Sequence, residues 1–201
     1  MLHVIAFLTV TQNLRKGEYT MSRLKAIEPK SASSKTKELL DAVNAKFGMV
    51  PNLARVMANS PVVLEGYLAF SGALGTGTLD PQICEQIALI TAQANHCDYC
   101  LSAHTALGKL VGLNEQEINA SREGRGSTER ATAALTFAKQ VLDGRGQVSD
   151  ENVQAVRKAG FSDGEVAEII AHVAINVFTN YFNIATQVEI DFPKVSSAKA
   201  A

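Results

Sequence analysis

Between Ser162 and Gln187 the chain is mostly apolar, yet polar residues return at a regular spacing: Glu168, His172, Asn176, Asn180, Asn183 and Gln187. The intervals of four, four, four, three and four place them along one slowly drifting face of a helix. Buried amides need partners, so this face meets water, lines a cavity or sits between subunits. A second helix is predicted to start at Asp80-Pro81, with Asp at the N-cap and Pro at the first helical position, where its missing N–H costs nothing. Its residues Ile83, Cys84, Ile87, Ala88, Leu89, Ile90, Ala92 and Ala94 are apolar on nearly every side, which predicts a buried helix. Asn114 with Glu117, and Ser162 with Glu165, have capping-box spacing, and Gly48, Gly112, Gly144 and Gly160 fall where helices should stop. No alternating run of β-branched residues is long enough to argue for a sheet. The fold class is all-α, helix after helix from residue 34 to about 187. Residues 112–118 echo residues 160–166, each a Gly stop, an apolar staple and a capped start. Two helical hairpins of related design would produce that echo, and so would reuse of common capping grammar.

Length and charge narrow the function. The 201 residues suffice for one domain with a real core, predicted over residues 34–191. Residues 1–33 read as a flexible leader and 192–201 as a flexible tail. The apolar stretch Leu2–Val10 lacks a basic n-region and a nearby cleavage site, so an extended start with Met21 as initiator is the plainer reading, and the expected location is cytoplasmic. A formal net charge of −1 builds no basic field for nucleic acid or an anionic membrane, so neither is expected as a partner. Three cysteines do not make a secreted disulfide framework.

Two of those cysteines form the run Cys97-Asp98-Tyr99-Cys100. Asn95 and His96 interrupt the preceding helix and Cys97 opens the next, so Cys97, Cys100 and His104 share a face at spacings of three and four. A thiol at a helix N-terminus is favoured as thiolate by the unpaired N–H groups there. His104, one turn beyond Cys100, is placed to take a thiol proton. Glu85 lies on the apolar preceding helix; periodicity alone turns it to a solvated edge or a basic partner, whereas burial beside a His–Cys pair would make it a proton relay. Cys84 reads as a small core residue with no role.

Glu85, eleven intervening residues, Cys97, two more, Cys100, three more and His104 together resemble the E-x11-C-x-x-C-x3-H pattern of the AhpD-like alkylhydroperoxidase family, within the carboxymuconolactone decarboxylase superfamily. Phe47–Leu53, Asn59-Ser60-Pro61 and Asn176–Asn183 are similar to it as well, and the likeness runs from about Ser34 to Asp191. The resemblance implies an all-α AhpD-like fold and a thiol peroxidase that needs no metal or organic cofactor. It implies that Cys100 attacks the hydroperoxide, Cys97 resolves the sulfenic acid to a Cys97–Cys100 disulfide, His104 is the base and Glu85 supports the relay. It implies a dithiol protein or small thiol as reductant, and a homo-oligomer, trimer or hexamer. The chain departs from the family's peroxidases at Tyr99, where they carry a second His; His96 is the candidate substitute, and both are taken as supporting residues.

Two other readings use the same residues. Cys97, Cys100 and His104 could hold Zn²⁺ in a binding or redox-sensing module, with Cys84, Glu85 or His96 as fourth ligand. A lactone decarboxylase, as the superfamily name suggests, would not need the dithiol.

Overall fold

The computed structural model describes residues 22–198, and every described element is helical. The helices are α1 (Ser34–Phe47), α2 (Asn52–Met57), α3 (Pro61–Leu74), α4 (Pro81–Ala94), α5 (Asp98–Leu110), α6 (Glu115–Arg122), α7 (Glu129–Asp143), α8 (Asp150–Lys158) and α9 (Asp163–Thr186), with a 3₁₀ turn at Pro29–Ser31. The helix predicted from Asp80 is α4, and the Asp80 side chain caps it by accepting from the Gln82 amide. Its all-round apolar surface puts it at the centre, against α5, α6, α7 and α9. One side, with Ile83, Ile87 and Ile90, packs into the core made by α7, α8 and α9; the other, with Leu89 and Ala92, packs on α5 and α6. A third cluster joins α1, α2 and α3 through Leu40, Val43, Met57 and Leu64. Among the described residues no helix is long and apolar enough to cross a membrane.

Both predicted capping boxes form, at the starts of α6 and α9. Leu113 and Ile118 bury together beside the first, Phe161 and Val166 beside the second, as a hydrophobic staple requires. The same device recurs at α8, where Ser149 and Asn152 form a third box between the partly buried Val148 and Val153. Capping grammar reused at three separate helix starts is therefore enough to account for the echo. Gly112 and Gly160 take the left-handed conformation (φ 95° and 89°) that lets the chain turn back at a helix end.

Both ends of the described chain make hydrogen bonds to the folded domain. Residues 22–33 lie against the domain: Arg23 N–H donates to Thr186 O, Ile27 N–H to Arg55 O, and Arg55 pairs with Glu28. Residues 192–198 strap across α4, α5 and α6. Ser197 donates to the Asp98 carboxylate from both its N–H and its hydroxyl, Val195 N–H donates to Ser102 Oγ, and Arg122 donates to Ser196 O. Both segments are polar and short of periodicity, and only the folded surface supplies their partners. The proposed initiator Met21 and residues 199–201 lie outside the described residues.

Candidate active site

The turn from α4 to α5 is built by its backbone. Asn95 ends α4, and His96 takes a left-handed φ of 55°, the position a glycine usually fills. His96 N–H donates to Gln93 O and Cys97 N–H to Ala92 O, closing a Schellman turn. His96 is exposed at this chain reversal. Asn95 Nδ2 donates to Asn180 Oδ1 at 2.9 Å and ties the turn to α9.

Cys97 is the N-cap of α5, and its sulfur accepts the Cys100 N–H at 3.3 Å. Cys97 and Cys100 are joined as a disulfide with Cα atoms 5.3 Å apart, and both are buried, at 1% and 2% exposure. Tyr99, between them, points elsewhere: its hydroxyl accepts the Leu53 N–H at 3.1 Å, meets the Asp191 carboxyl, and its ring stands edge-on to Phe192. Burial and the Asp191 charge push the phenol far above its usual range, so it stays protonated and ties α5 to α2 and the C-terminal strap. Burial also raises Asp191, against the pull of the Asn52 N–H it accepts.

Glu85 and His104 do meet. His104 Nδ1–H donates to Glu85 Oε2 at 2.8 Å, with both side chains one-fifth exposed (20%). The basic partner left open by periodicity is thus the motif's own histidine. That bond holds the ring through Nδ1, and Nε2 makes no hydrogen bond among the described residues. His104 makes no hydrogen bond to either sulfur among the described residues. The polar contact of Cys100 comes from α9, where Asn183 Nδ2 donates to its Sγ at 3.2 Å.

Glu85 and His104 open onto a cavity of about 650 Å³ between the end of α1, α3, the α3–α4 loop, α4, α5 and α9. Phe47, Tyr67, Leu107, Val111 and Ile175 supply much of its apolar wall. Cys84 faces this cavity too, half-buried, with its Sγ 3.3 Å from His172 Nε2. The expectation that it is an inert core residue missed this contact, because its partner lies 88 residues away on another helix. Burial, then the charges of Glu85, Glu168 and Asp80, push the thiol up to about 12. It therefore stays an S–H and donates to His172, whose own pKa burial lowers.

From Glu168 to Asn183 the polar stripe of α9 turns inward, whereas Gln187, at the C-cap, is exposed. Glu168 accepts from the N–H groups of Thr78 and Leu79 and from the Thr78 hydroxyl, and these bonds hold its carboxyl below the usual range. His172 and Asn176 line the cavity, while Asn180 and Asn183 are buried at the α4–α5 turn and the disulfide. The outward side of α9 instead exposes Ile170, Phe178, Tyr181 and Ile184. Among the described residues no group of three or more His, Cys, Asp or Glu side chains is placed to hold a metal ion.

Residues 61–143, from α3 through α7, match the carboxymuconolactone decarboxylase family. The fold matches a peroxidase-related protein of Ralstonia eutropha JMP134 with an alkylhydroperoxidase AhpD core, at 24% identity and TM-score 0.78, over 87% of this chain and 94% of that one. It also matches a peroxidase-related protein of Silicibacter sp. TM1040, at 22% identity and TM-score 0.73, over 86% and 95%. The debrominase Bmp8 matches at 21% identity and TM-score 0.71, over 83% and 90%; a cysteine-to-alanine variant of it has been solved with 2,3,4-tribromopyrrole. No curated protein sequence matches the chain. The fold is AhpD-like, and its central stretch from α3 through α7 matches the carboxymuconolactone decarboxylase family.

Proposed function

We propose that the protein is a thiol-dependent peroxidase that reduces organic hydroperoxides with the Cys97–Cys100 dithiol. The observation that carries this reading is the placement of that dithiol at the start of α5, one helical turn from a His104–Glu85 pair that faces a cavity. The Cys100 thiolate attacks the terminal peroxide oxygen, forming an S–O bond as the O–O bond breaks. The alcohol leaves with a proton supplied through His104, which Glu85 orients. Cys97 then displaces water from the sulfenic acid, so that two thiols and ROOH give a disulfide, ROH and H₂O. A dithiol protein or small thiol in a reducing cytoplasm would restore the pair. Cavities of several hundred cubic ångströms suit organic molecules, which favours a bulky hydroperoxide over hydrogen peroxide. The exposed apolar side of α9 supports assembly as a homo-oligomer.

Consumption of cumene hydroperoxide by the reduced protein tests the reading. Cys100→Ser should be inert and Cys97→Ser should stop at a sulfenic acid that a dimedone probe captures; hydroperoxide left intact by reduced wild type would refute it. A second reading draws on the brominated pyrrole bound by Bmp8 and on the partly apolar cavity here, which has room for an aromatic ring. The same dithiol would supply two electrons to an aryl bromide, giving the arene, bromide, a proton and the disulfide. Release of bromide from a bromopyrrole without turnover of hydroperoxide would favour it.

A further inference from the structure

We propose that Asn183 is a catalytic residue: its side-chain N–H stabilises the Cys100 thiolate and makes that sulfur the attacking one. The inference rests on the reading of Cys100 as the nucleophile, but its test needs no substrate. The N-terminus of α5 favours the other cysteine, because Cys97 is the N-cap and its sulfur takes the backbone N–H of Cys100. Cys100 gains no such contact from its own helix. Its N–H donor is Asn183 Nδ2, 3.2 Å away on α9.

The surroundings make that single donor matter. Cys100 packs in an apolar cluster with Val56, Leu89, Ala92 and Leu101, where an unsolvated thiolate is disfavoured. The titratable groups on neighbouring elements are occupied: Glu85 with His104, His172 with Cys84, Asp98 with Ser197, and Tyr99 beside Asp191. Asn183 is only 3% exposed, and its Oδ1 has no hydrogen-bond partner among the described residues. A buried amide with an orphaned carbonyl is costly wherever packing alone is at stake. One turn earlier Asn180, fixed by Asn95, holds the same face of α9 against the α4–α5 turn.

The orientation of the amide is set by chemistry. A disulfide sulfur and a thiolate can only accept, so the NH₂ end facing Cys100 suits both states of the redox cycle. The reverse orientation would put a carbonyl on the sulfur and favour the neutral thiol, so the two orientations predict opposite shifts.

The test is thiolate absorbance at 240 nm against pH in the Cys97→Ser protein. Cys84, held up to about 12, is silent over most of that titration. Asn183→Leu keeps the size and removes the donor, and should raise the pKa of Cys100 by about one unit or more, the scale of one charge-assisted hydrogen bond. Asn183→Asp keeps the shape, places a carboxylate on the sulfur and should raise it further, which covers the case where the leucine variant does not fold. An unchanged or lowered pKa in the folded variants would overturn the proposal. Raised pKa values in a protein that leaves hydroperoxides intact would uphold Asn183 and defeat the peroxidase reading alone.

Discussion

Gly77 lies where the α3–α4 loop wraps over the carboxylate of Glu168, and its substitution makes a prediction whose sign depends on a second residue. A Cβ at position 77 would stand 2.6 Å from Glu168 Oε2 and 2.8 Å from its carboxyl carbon, both inside van der Waals contact. The carboxylate would have to shift off the Thr78 N–H, the Leu79 N–H and the Thr78 hydroxyl, which it now accepts at 2.8 to 3.0 Å. Losing one such bond to a charged group costs about 1.5–3 kcal/mol when buried and less at this partly exposed site, so Gly77→Ala should cost about 1–2 kcal/mol. Gly77 is not among the glycines with positive φ, so the backbone itself accepts alanine. Once Glu168 is replaced by alanine, Gly77→Ala should therefore become neutral or stabilise by about 0.5 kcal/mol through the unfolded chain. Urea unfolding of the two single variants, the double variant and wild type closes the cycle. An equal cost for Gly77→Ala in both backgrounds would refute the idea that the glycine is there for the carboxylate.

Three more outcomes follow from the site. His104→Gln should lower kcat/KM for an organic hydroperoxide by about 10²-fold or more without loss of the folded state, measured by coupled turnover and thermal melting. His172 is half-buried, and burial lowers its pKa below the ordinary value of about 6.5. The unfolded chain therefore takes up this proton first as pH falls, and the stability present above about 6.5 is lost as pH drops toward the folded value. Urea midpoints at pH 7.5 and 5.5 should separate by less in His172→Gln than in wild type; equal separations would exclude His172 as a source of acid sensitivity. The Cys84 thiol, raised to about 12, should resist iodoacetamide at pH 7 in the folded protein and react at once in urea, as followed by peptide mass spectrometry.

Much of this was legible because it is local. Asp80-Pro81, the two predicted capping boxes and the glycine stops each depend on residues a few positions apart, and each formed. The Glu85–His104 contact was legible only through the family pattern, since periodicity left the carboxylate's partner open. The long-range pairings were not legible. Cys84 with His172 and Asn183 with Cys100 join helices 88 and 83 residues apart. The stripe on α9 announced that its polar groups needed partners, but the partners were fixed only by how α9 crosses α4 and α5. Nor do the motif's spacings encode the contacts of Tyr99, whose hydroxyl accepts the Leu53 N–H and meets Asp191, or the left-handed conformation of His96.

The central claim is that Cys97 and Cys100 form one two-electron unit. One equivalent of cumene hydroperoxide added to fully reduced protein, followed by alkylation in urea and peptide mass spectrometry, tests it directly. The account predicts loss of two hydrogens within the peptide carrying Cys97 and Cys100, neither sulfur alkylated, and Cys84 fully alkylated. Free thiols at 97 and 100, or oxidation that falls first on Cys84, would contradict it.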